Sequence, residues 1–411
     1  MANPTPTYDD AAERVIAAAQ AELLEKGFDA ASIDAIAARA GVSKTTIYSR
    51  FPAKSALFAD ALRLTMQEAG GAMVPDVRDK DLHEALRALG TWVERSARAP
   101  ANLALYRANI VGAAHFPEMS EELHGLRTQS TDLMAFVERL PGRATLPDVS
   151  ARQLANWLGV IAMGGLHHLL NLPDDRALHY ARTDAAIHLF ANGWRTPVEP
   201  SPAPVQVPPL SADIPGEAGR TSPERWTELL CCTAHSLLSE GVRGTSVDSV
   251  SAASGLSKMT IYRRFGGKDE LIAAALTSLA EGLAPRLGQQ SFEGDLIEQL
   301  TAISREYLQL FARTDHIALL RLMVGEAPKR PELVAQLWRL LTAPSHRYLA
   351  DILRARAEAG EVHLTDPATA AEQFLLLSAG GNRLLTGARN WSEAQAHMYA
   401  DQLVAFCLRK G

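Results

Sequence analysis

Apolar residues along most of the chain recur three and four positions apart, not every second position, and that spacing predicts helices. Val15, Ile16, Ala19, Leu23 and Leu24 form one apolar stripe. The helix carrying it is expected to begin near Asp9 or Asp10 and to stop at Gly27, with Phe28 packing back. Ser32 suits the N-cap of a second, short helix with Ile33, Ile36 and Ala37 on one face and Gly41 as its stop. Ser43 suits the N-cap of a third, with Ile47 inward and Lys44, Thr45, Thr46 and Tyr48 outward. Two short helices joined by a tight glycine-containing turn make a helix-turn-helix.

The same pattern returns later in the chain. Trp226, Leu229, Leu230, Leu237 and Leu238 repeat the first stripe, and Gly241 repeats the stop. GFDAASIDAIAARAGVSKTTIYSRFPAKSAL from Gly27 aligns without a gap to GVRGTSVDSVSAASGLSKMTIYRRFGGKDEL from Gly241, with 14 identities in 31 positions at an offset of 214. Arg107 and Arg321 keep that offset, and Gly164-Gly165 match Gly380-Gly381 at 216. The chain is therefore one domain pair written twice. Seven prolines between Pro197 and Pro215 exclude a helix and predict an extended linker between the copies. The expected organisation is a helix-turn-helix domain over 8–56, a helical domain over 57–196, the linker over 197–221, a second helix-turn-helix domain over 222–270 and a second helical domain over 271–411.

Composition adds limits. Of the 411 residues, 47% are hydrophobic and 21% charged, as in ordinary globular proteins. The N-terminus lacks a secretory signal, and three cysteines are too few for a disulfide scaffold, so a reducing cytoplasm is expected. Leu154 to Leu172 carries no Asp, Glu, Lys or Arg, but its Asn156, His167, His168 and Asn171 favour a buried helix over a membrane span. Cys231 and Cys232 sit mid-helix and are expected to be buried. Asp184 and His188 have the spacing of a helical metal pair, yet no matching residues occur in the second copy. No metal or cofactor is expected. The chain has no phosphate-binding glycine loop, nucleophile elbow or zinc-protease motif, so no enzyme is expected.

A net charge of −6 argues at first against a nucleic-acid partner. Local charge reverses that. From Arg39 to Lys54 there are four cations and no acid, and the same is true from Ala253 to Lys268. Two purely basic segments on the second helix of two matching turns are the footprint of phosphate contact. That helix has the size that enters a major groove.

SKTTIYSRFPAK and SKMTIYRRFGGK resemble the recognition-helix signature of the TetR/AcrR family of bacterial transcriptional regulators, and SIDAIAARAGV and SVDSVSAASGL resemble its preceding helix and turn. RANIVGAAHFPEM and RLMVGEAPKRPEL are similar to segments of regulators with AefR-like C-terminal regions. The resemblance implies an all-α fold of two tandem units. Each would have an N-terminal three-helix helix-turn-helix domain and a C-terminal helical effector and dimerisation domain, and the units would pack as an intramolecular pseudo-dimer. It implies DNA contacts from Ser43, Lys44, Thr45, Thr46, Tyr48, Arg50 and Lys54, and from Ser257, Lys258, Met259, Thr260, Tyr262, Arg263, Arg264 and Lys268. Tyr48, Tyr262, Lys54 and Lys268 match phosphate-contacting positions. Thr45 differs from Met259, and Ser49 from Arg263, so the two readers are expected to bind an asymmetric double-stranded operator with two unlike half-sites.

The resemblance also implies a small hydrophobic effector held by the C-terminal helices. Candidate pocket residues are Trp92, Tyr106, Asn109, Phe116, Trp157 and His167 in the first copy, and Tyr307, Phe311, Met323 and Phe374 in the second. The expected function is a transcriptional regulator, most simply a repressor, released by that effector. The alternative is a protein-interaction module in which only one helix-turn-helix reads DNA.

Overall fold

The computed structural model describes residues 9–69, 75–77, 79–113, 131–138, 148–173, 176–197, 222–284, 294–387 and 390–410, with single positions 140, 146, 287 and 292. Described secondary structure is helical throughout. In the first copy the helices are α1 (Asp10–Ala30), α2 (Ile33–Ala40), α3 (Lys44–Arg50), α4 (Lys54–Ala69), α5 (Leu82–Arg98), α6 (Pro100–Gly112), α7 (Thr131–Val137), α8 (Ala151–Ala162) and α9 (Arg176–Asn192). In the second they are α10 (Pro223–Gly244), α11 (Val247–Ser254), α12 (Lys258–Phe265), α13 (Lys268–Leu283), α14 (Leu296–Phe311), α15 (Thr314–Glu326), α16 (Pro331–Glu358), α17 (Pro367–Ser378) and α18 (Glu393–Cys407).

Helix starts repeat the sequence offset because the capping residues do. Ser32 and Ser246 cap α2 and α11, Ser43 and Ser257 cap α3 and α12, and Asp81 and Asp295 cap α5 and α14. Each accepts a hydrogen bond from the third backbone N–H of its helix, a contact typically worth about 1 kcal/mol. Ser150 and Asp366 cap α8 and α17 at an offset of 216, as the glycine pairs require.

Three local expectations are corrected. Helix α1 continues past Gly27 to Ala30, whereas Gly241 does break α10, with φ of 71°. The charge-free 154–172 stretch is not one helix: α8 ends at Ala162. Gly164, Gly165, Gly380 and Gly381 lie beyond the helices with φ between 62° and 72°, a left-handed conformation open to glycine. Finally, Cys231 is exposed and Cys232 half-buried, because both lie off the apolar stripe of α10; Cys407 is the buried thiol.

The chain forms two compact units that do not follow the copies in sequence order. Unit 1 comprises residues 1–169, 186–193 and 380–411. Its N-terminal three-helix head packs Val15, Ile16, Ala19, Ile36, Ile47, Phe51, Leu57 and Phe58 into one core that also takes in Leu105 and Ala108 of α6. Elsewhere in unit 1, α8 meets residues of the second copy. The Trp157 indole N–H donates to the Tyr399 hydroxyl at 2.9 Å, and Phe190 and Phe406 lie 5.0 Å apart between ring centroids. The turn at Gly381 lies against α8, where a Cβ would fall 2.6 Å from Val160 Cγ2.

Unit 2 comprises residues 170–185 and 194–379. Its head is built on Leu229, Val247, Val250, Leu256, Ile261 and Leu271. Helices α14 to α17 form its body, with α16 packed against α13, α15 and α17. Arg182 of the first copy makes a two-pronged ion pair with Glu372, at 3.1 and 2.5 Å, and Gln373 donates to the Arg182 carbonyl at 2.8 Å. No described helix is long and apolar enough to cross a membrane.

Candidate nucleic-acid interface

Each head presents its third helix in the same way. Ile47 and Ile261 are wholly buried and anchor α3 and α12 to the head core. Across those helices, Lys44, Thr45 and Tyr48, and Lys258, Met259 and Tyr262, are exposed, while Thr46 and Thr260 are half-buried. Tyr48 and Tyr262 are each 48% exposed and Met259 is 78% exposed. The exposed tyrosine recurs on the same face of both helices, and in the second head alone the Met259 thioether is exposed beside it. Thr46 and Thr260 also touch the capping hydroxyls of Ser43 and Ser257, at 2.9 and 2.8 Å, which fixes the first turn of each helix. Lys54 and Lys268 open the following helices, α4 and α13, and the Lys54 ammonium lies 5.6 Å from the Phe58 ring centroid.

The expectation of a purely basic face needs correction. Acids from outside each basic segment fold back onto its cations. Asp34 pairs with Lys44, and Asp248 pairs with Lys258 at 2.6 Å, the same contact at the repeat offset. In the first head, Glu25 holds Arg39 at 2.9 Å and Asp9 holds Arg50 at 2.5 Å. Hydrogen bonding to those arginines pulls the Glu25 and Asp9 carboxyls below the usual carboxylate range, and hydrogen bonding to Asp34 raises the Lys44 ammonium. The second head has Pro223 and Ser239 where the first has Asp9 and Glu25. Arg264 instead lies 5.8 Å from the Trp226 ring centroid, and Arg263 is exposed. These acids were missed because they precede the basic windows in sequence and reach them only through the helix crossings of the head.

The candidate pocket residues separate into different settings. Trp92 and Tyr106 are half-buried on α5 and α6, Asn109 is fully buried on α6, and Phe116 lies outside the described residues. Trp157 is buried against Tyr399 and Phe406, and His167 stacks edge-on to His168. In the second copy, Tyr307 and Phe311 lie 4.6 Å apart between centroids, and His316 continues the stack 4.3 Å from Phe311. Met323 is buried on α15, and Phe374 packs 5.9 Å from Trp194.

The His316 ring was not anticipated. It is fully buried, and neither ring nitrogen has a hydrogen-bond partner. Burial lowers its pKa from 6.5 to about 4. The Ser304, Ser345 and Ser378 hydroxyls on α14, α16 and α17 are likewise buried without partners. The first-copy positions of His316 and Ser304 are Asn102, whose amide donates to the Ser96 carbonyl at 2.9 Å, and Gly90. Among the described residues, no group of His, Cys, Asp and Glu is arranged to hold a metal ion.

Comparison with known proteins adds the following. Residues 15–61 and 233–275 both match the model of the bacterial regulatory proteins of the tetR family, and residues 298–410 match the AefR-like transcriptional repressor C-terminal domain. An uncharacterised HTH-type transcriptional regulator of Mycobacterium bovis is 30% identical over 151 residues, 37% of this chain and 71% of that protein. The uncharacterised regulator YdeS of Bacillus subtilis is 43% identical over 60 residues, 15% of this chain and 30% of that protein. Among solved structures, the flavonoid-responsive regulator FrrA is 26% identical over 46% of this chain and 96% of its own, with a TM-score of 0.40.

Proposed function

Since the chain belongs to the TetR family of bacterial regulators, and matches its DNA-binding domain twice, we propose that it is a single-chain repressor with two unlike reading heads. One observation carries the proposal. Two short helices, each capped by serine and anchored by a buried isoleucine, present the same Lys-x-Thr-x-Tyr face 214 residues apart. In this reading Lys44, Tyr48, Arg50 and Lys54, with Lys258, Tyr262, Arg263, Arg264 and Lys268, meet phosphates. Ser43, Thr45 and Thr46, with Ser257, Met259 and Thr260, meet base edges or the sugar–phosphate backbone.

The two copies supply the two-fold pairing that a dimeric reader needs, and the contacts of Trp157 with Tyr399 and of Arg182 with Glu372 support that pairing within one chain. Because residue 45 is threonine and residue 259 methionine, the half-sites differ: one favours a hydrogen-bonding edge and the other a thymine methyl. The effector site belongs to the second copy, where Tyr307, Phe311, His316, Met323 and Phe374 line the AefR-like helices. Unsatisfied polar groups in that interior suit a largely apolar ligand carrying hydrogen-bonding groups.

Selection of bound duplexes from a random pool tests the whole reading. An asymmetric motif with half-centres about one helical turn apart is expected, protected by one chain per site. Tyr48→Ala and Tyr262→Ala are each expected to abolish protection of one half only. A perfect palindrome bound by two chains, or a Tyr262→Ala protein with unchanged footprint and affinity, would overturn it.

A further inference from the structure

We infer that the two copies carry unequal, mutually complementary faces, so that copy one pairs with copy two and neither pairs with a second copy of itself. This inference rests on the single-chain pseudo-dimer proposed above.

Carrying the offset of 216 through the last helix of each copy makes Phe190 the counterpart of Phe406. Those two rings touch, with centroids 5.0 Å apart. A residue meeting its own counterpart is what a two-fold interface produces at its centre. Elsewhere the symmetry of the copies fails three times, and each failure is a matched pair.

Arg409 is the first. Its guanidinium is buried and donates to the carbonyls of Phe406 at 2.5 Å, Leu189 at 2.8 Å and Phe190 at 2.7 Å. One arginine thus satisfies carbonyls at the ends of α18 and α9, the last helices of the two copies. The counterpart of Arg409 is Gly193, with φ of 69°, where a Cβ would fall 2.4 Å from the Arg409 carbonyl oxygen. Two second copies would bring two buried guanidiniums to one place. Two first copies would bring two glycines and no donor.

Trp157 is the second. Its indole N–H reaches the buried Tyr399 hydroxyl, and the counterparts of these residues are Gln373 and Thr183. Self-pairing of the first copy would set Trp157 against Thr183, and self-pairing of the second would set Tyr399 against Gln373. Neither substitute supplies the edge-on ring packing seen at 5.9 Å between Trp157 and Tyr399.

The third is Arg182 with Glu372, both mostly buried, whose counterparts are Met398 and Asn156. Self-pairing of either copy leaves one of these charges opposite a neutral side chain. A charge stripped of its partner in a mostly buried setting is the strong form of discrimination against a wrong partner.

The test uses the full chain with a specific protease site placed in the 197–221 linker. The purified protein is nicked, dissociated in urea, re-formed by dilution and read by native mass spectrometry. Complexes holding one of each half are expected, with self-paired halves at or below about one part in ten. A statistical mixture of self-paired and mixed complexes would overturn the inference. In the nicked protein, Arg182→Glu and Glu372→Arg are each expected to weaken re-association about 10- to 100-fold, and the double reversal to restore most of it. Absence of rescue by the double reversal would also count against it. Light scattering on the un-nicked chain separates this from the underlying reading. A two-chain particle there would refute the single-chain pseudo-dimer while leaving the mixed pairing of halves to be read independently.

Discussion

On the proposed reading, acidic residues on the helix-turn-helix heads limit how strongly their cations can grip DNA, and this is open to direct measurement. Asp34 and Asp248 occupy equivalent positions on α2 and α11 and hold Lys44 and Lys258. Glu25 and Asp9 hold Arg39 and Arg50 in the first head alone. All these pairs are well exposed, so they are weak and exchange readily for phosphate, but each exchange returns a carboxylate to the same surface. Every phosphate contact that displaces a counterion steepens log K against log salt by about 0.9. Eight engaged motif cations would give a slope near −7; if the four held by acids contribute nothing, the slope is about −3.6. The wild-type protein is expected between these values, because each held cation meets phosphate only by giving up its carboxylate. Replacing Asp34 and Asp248 by asparagine keeps the side-chain volume, removes two repelling charges and releases two lysines. That change should steepen the slope by about 1.8 and raise affinity for any duplex, whatever its sequence. Fluorescence anisotropy on a labelled random-sequence duplex, titrated from low to physiological salt, reads both quantities. A wild-type slope already near −7, unchanged in the double variant, would refute the idea that the acids compete with phosphate.

Other expectations follow from buried positions. Ile261→Ala should destabilise the second head by about 2–4 kcal/mol, visible as an early unfolding transition with loss of half the footprint. Gly381→Ala should cost more than about 1 kcal/mol, because φ is 62° and a Cβ would meet Val160 at 2.6 Å; a midpoint shift in thermal unfolding checks it. His316 has a folded pKa depressed to about 4 by burial, so the unfolded chain takes up the proton more readily. Stability is therefore full above the unfolded value near 6.5 and falls by roughly 3 kcal/mol as pH drops through 4. His316→Phe should flatten that acid limb and raise the unfolding midpoint at neutral pH, since it removes two unsatisfied buried nitrogens of similar shape; an unchanged acid limb would rule out His316 as its source.

What could be read from the sequence, and what could not, divides along a physical line. Caps and stops were legible because Ser32, Ser43, Gly41 and their copies act within four residues of where they sit. The buried anchors Ile47 and Ile261 were legible because helical spacing marks them. The acids tying down Lys44 and Arg50 were hidden, for they lie 10 and 41 residues away and are brought there by packing alone. The glycine pairs were legible as a repeat, but their left-handed backbone was not, because spacing does not report the sign of φ.

The determinants that make the two copies unequal were hidden for a deeper reason. A repeat is found through what its copies share, and Arg409 opposite Gly193, Trp157 opposite Gln373 and Glu372 opposite Asn156 are positions where they share nothing. Such mismatches look like neutral drift in a sequence comparison. Within the fold Arg409 lies against Gly193, while Trp157 and Glu372 contact Tyr399 and Arg182, groups that only the other copy supplies. In a homodimer any substitution appears on both sides of the axis at once, so a pair such as Trp157 with Tyr399 would recur twice and the counterpart pair of Arg409 with Gly193 could not form. Joining the copies in one chain removes that restriction, and the first consequence falls on the interface rather than on the readers. Once Arg409 satisfies the ends of both α9 and α18, the first copy no longer needs an arginine at position 193 and has no room for one. On the proposed reading the divergence of Thr45 from Met259 then becomes useful: each chain would carry one reader of each kind, so an asymmetric operator would be matched by every molecule rather than by a fraction of randomly paired ones.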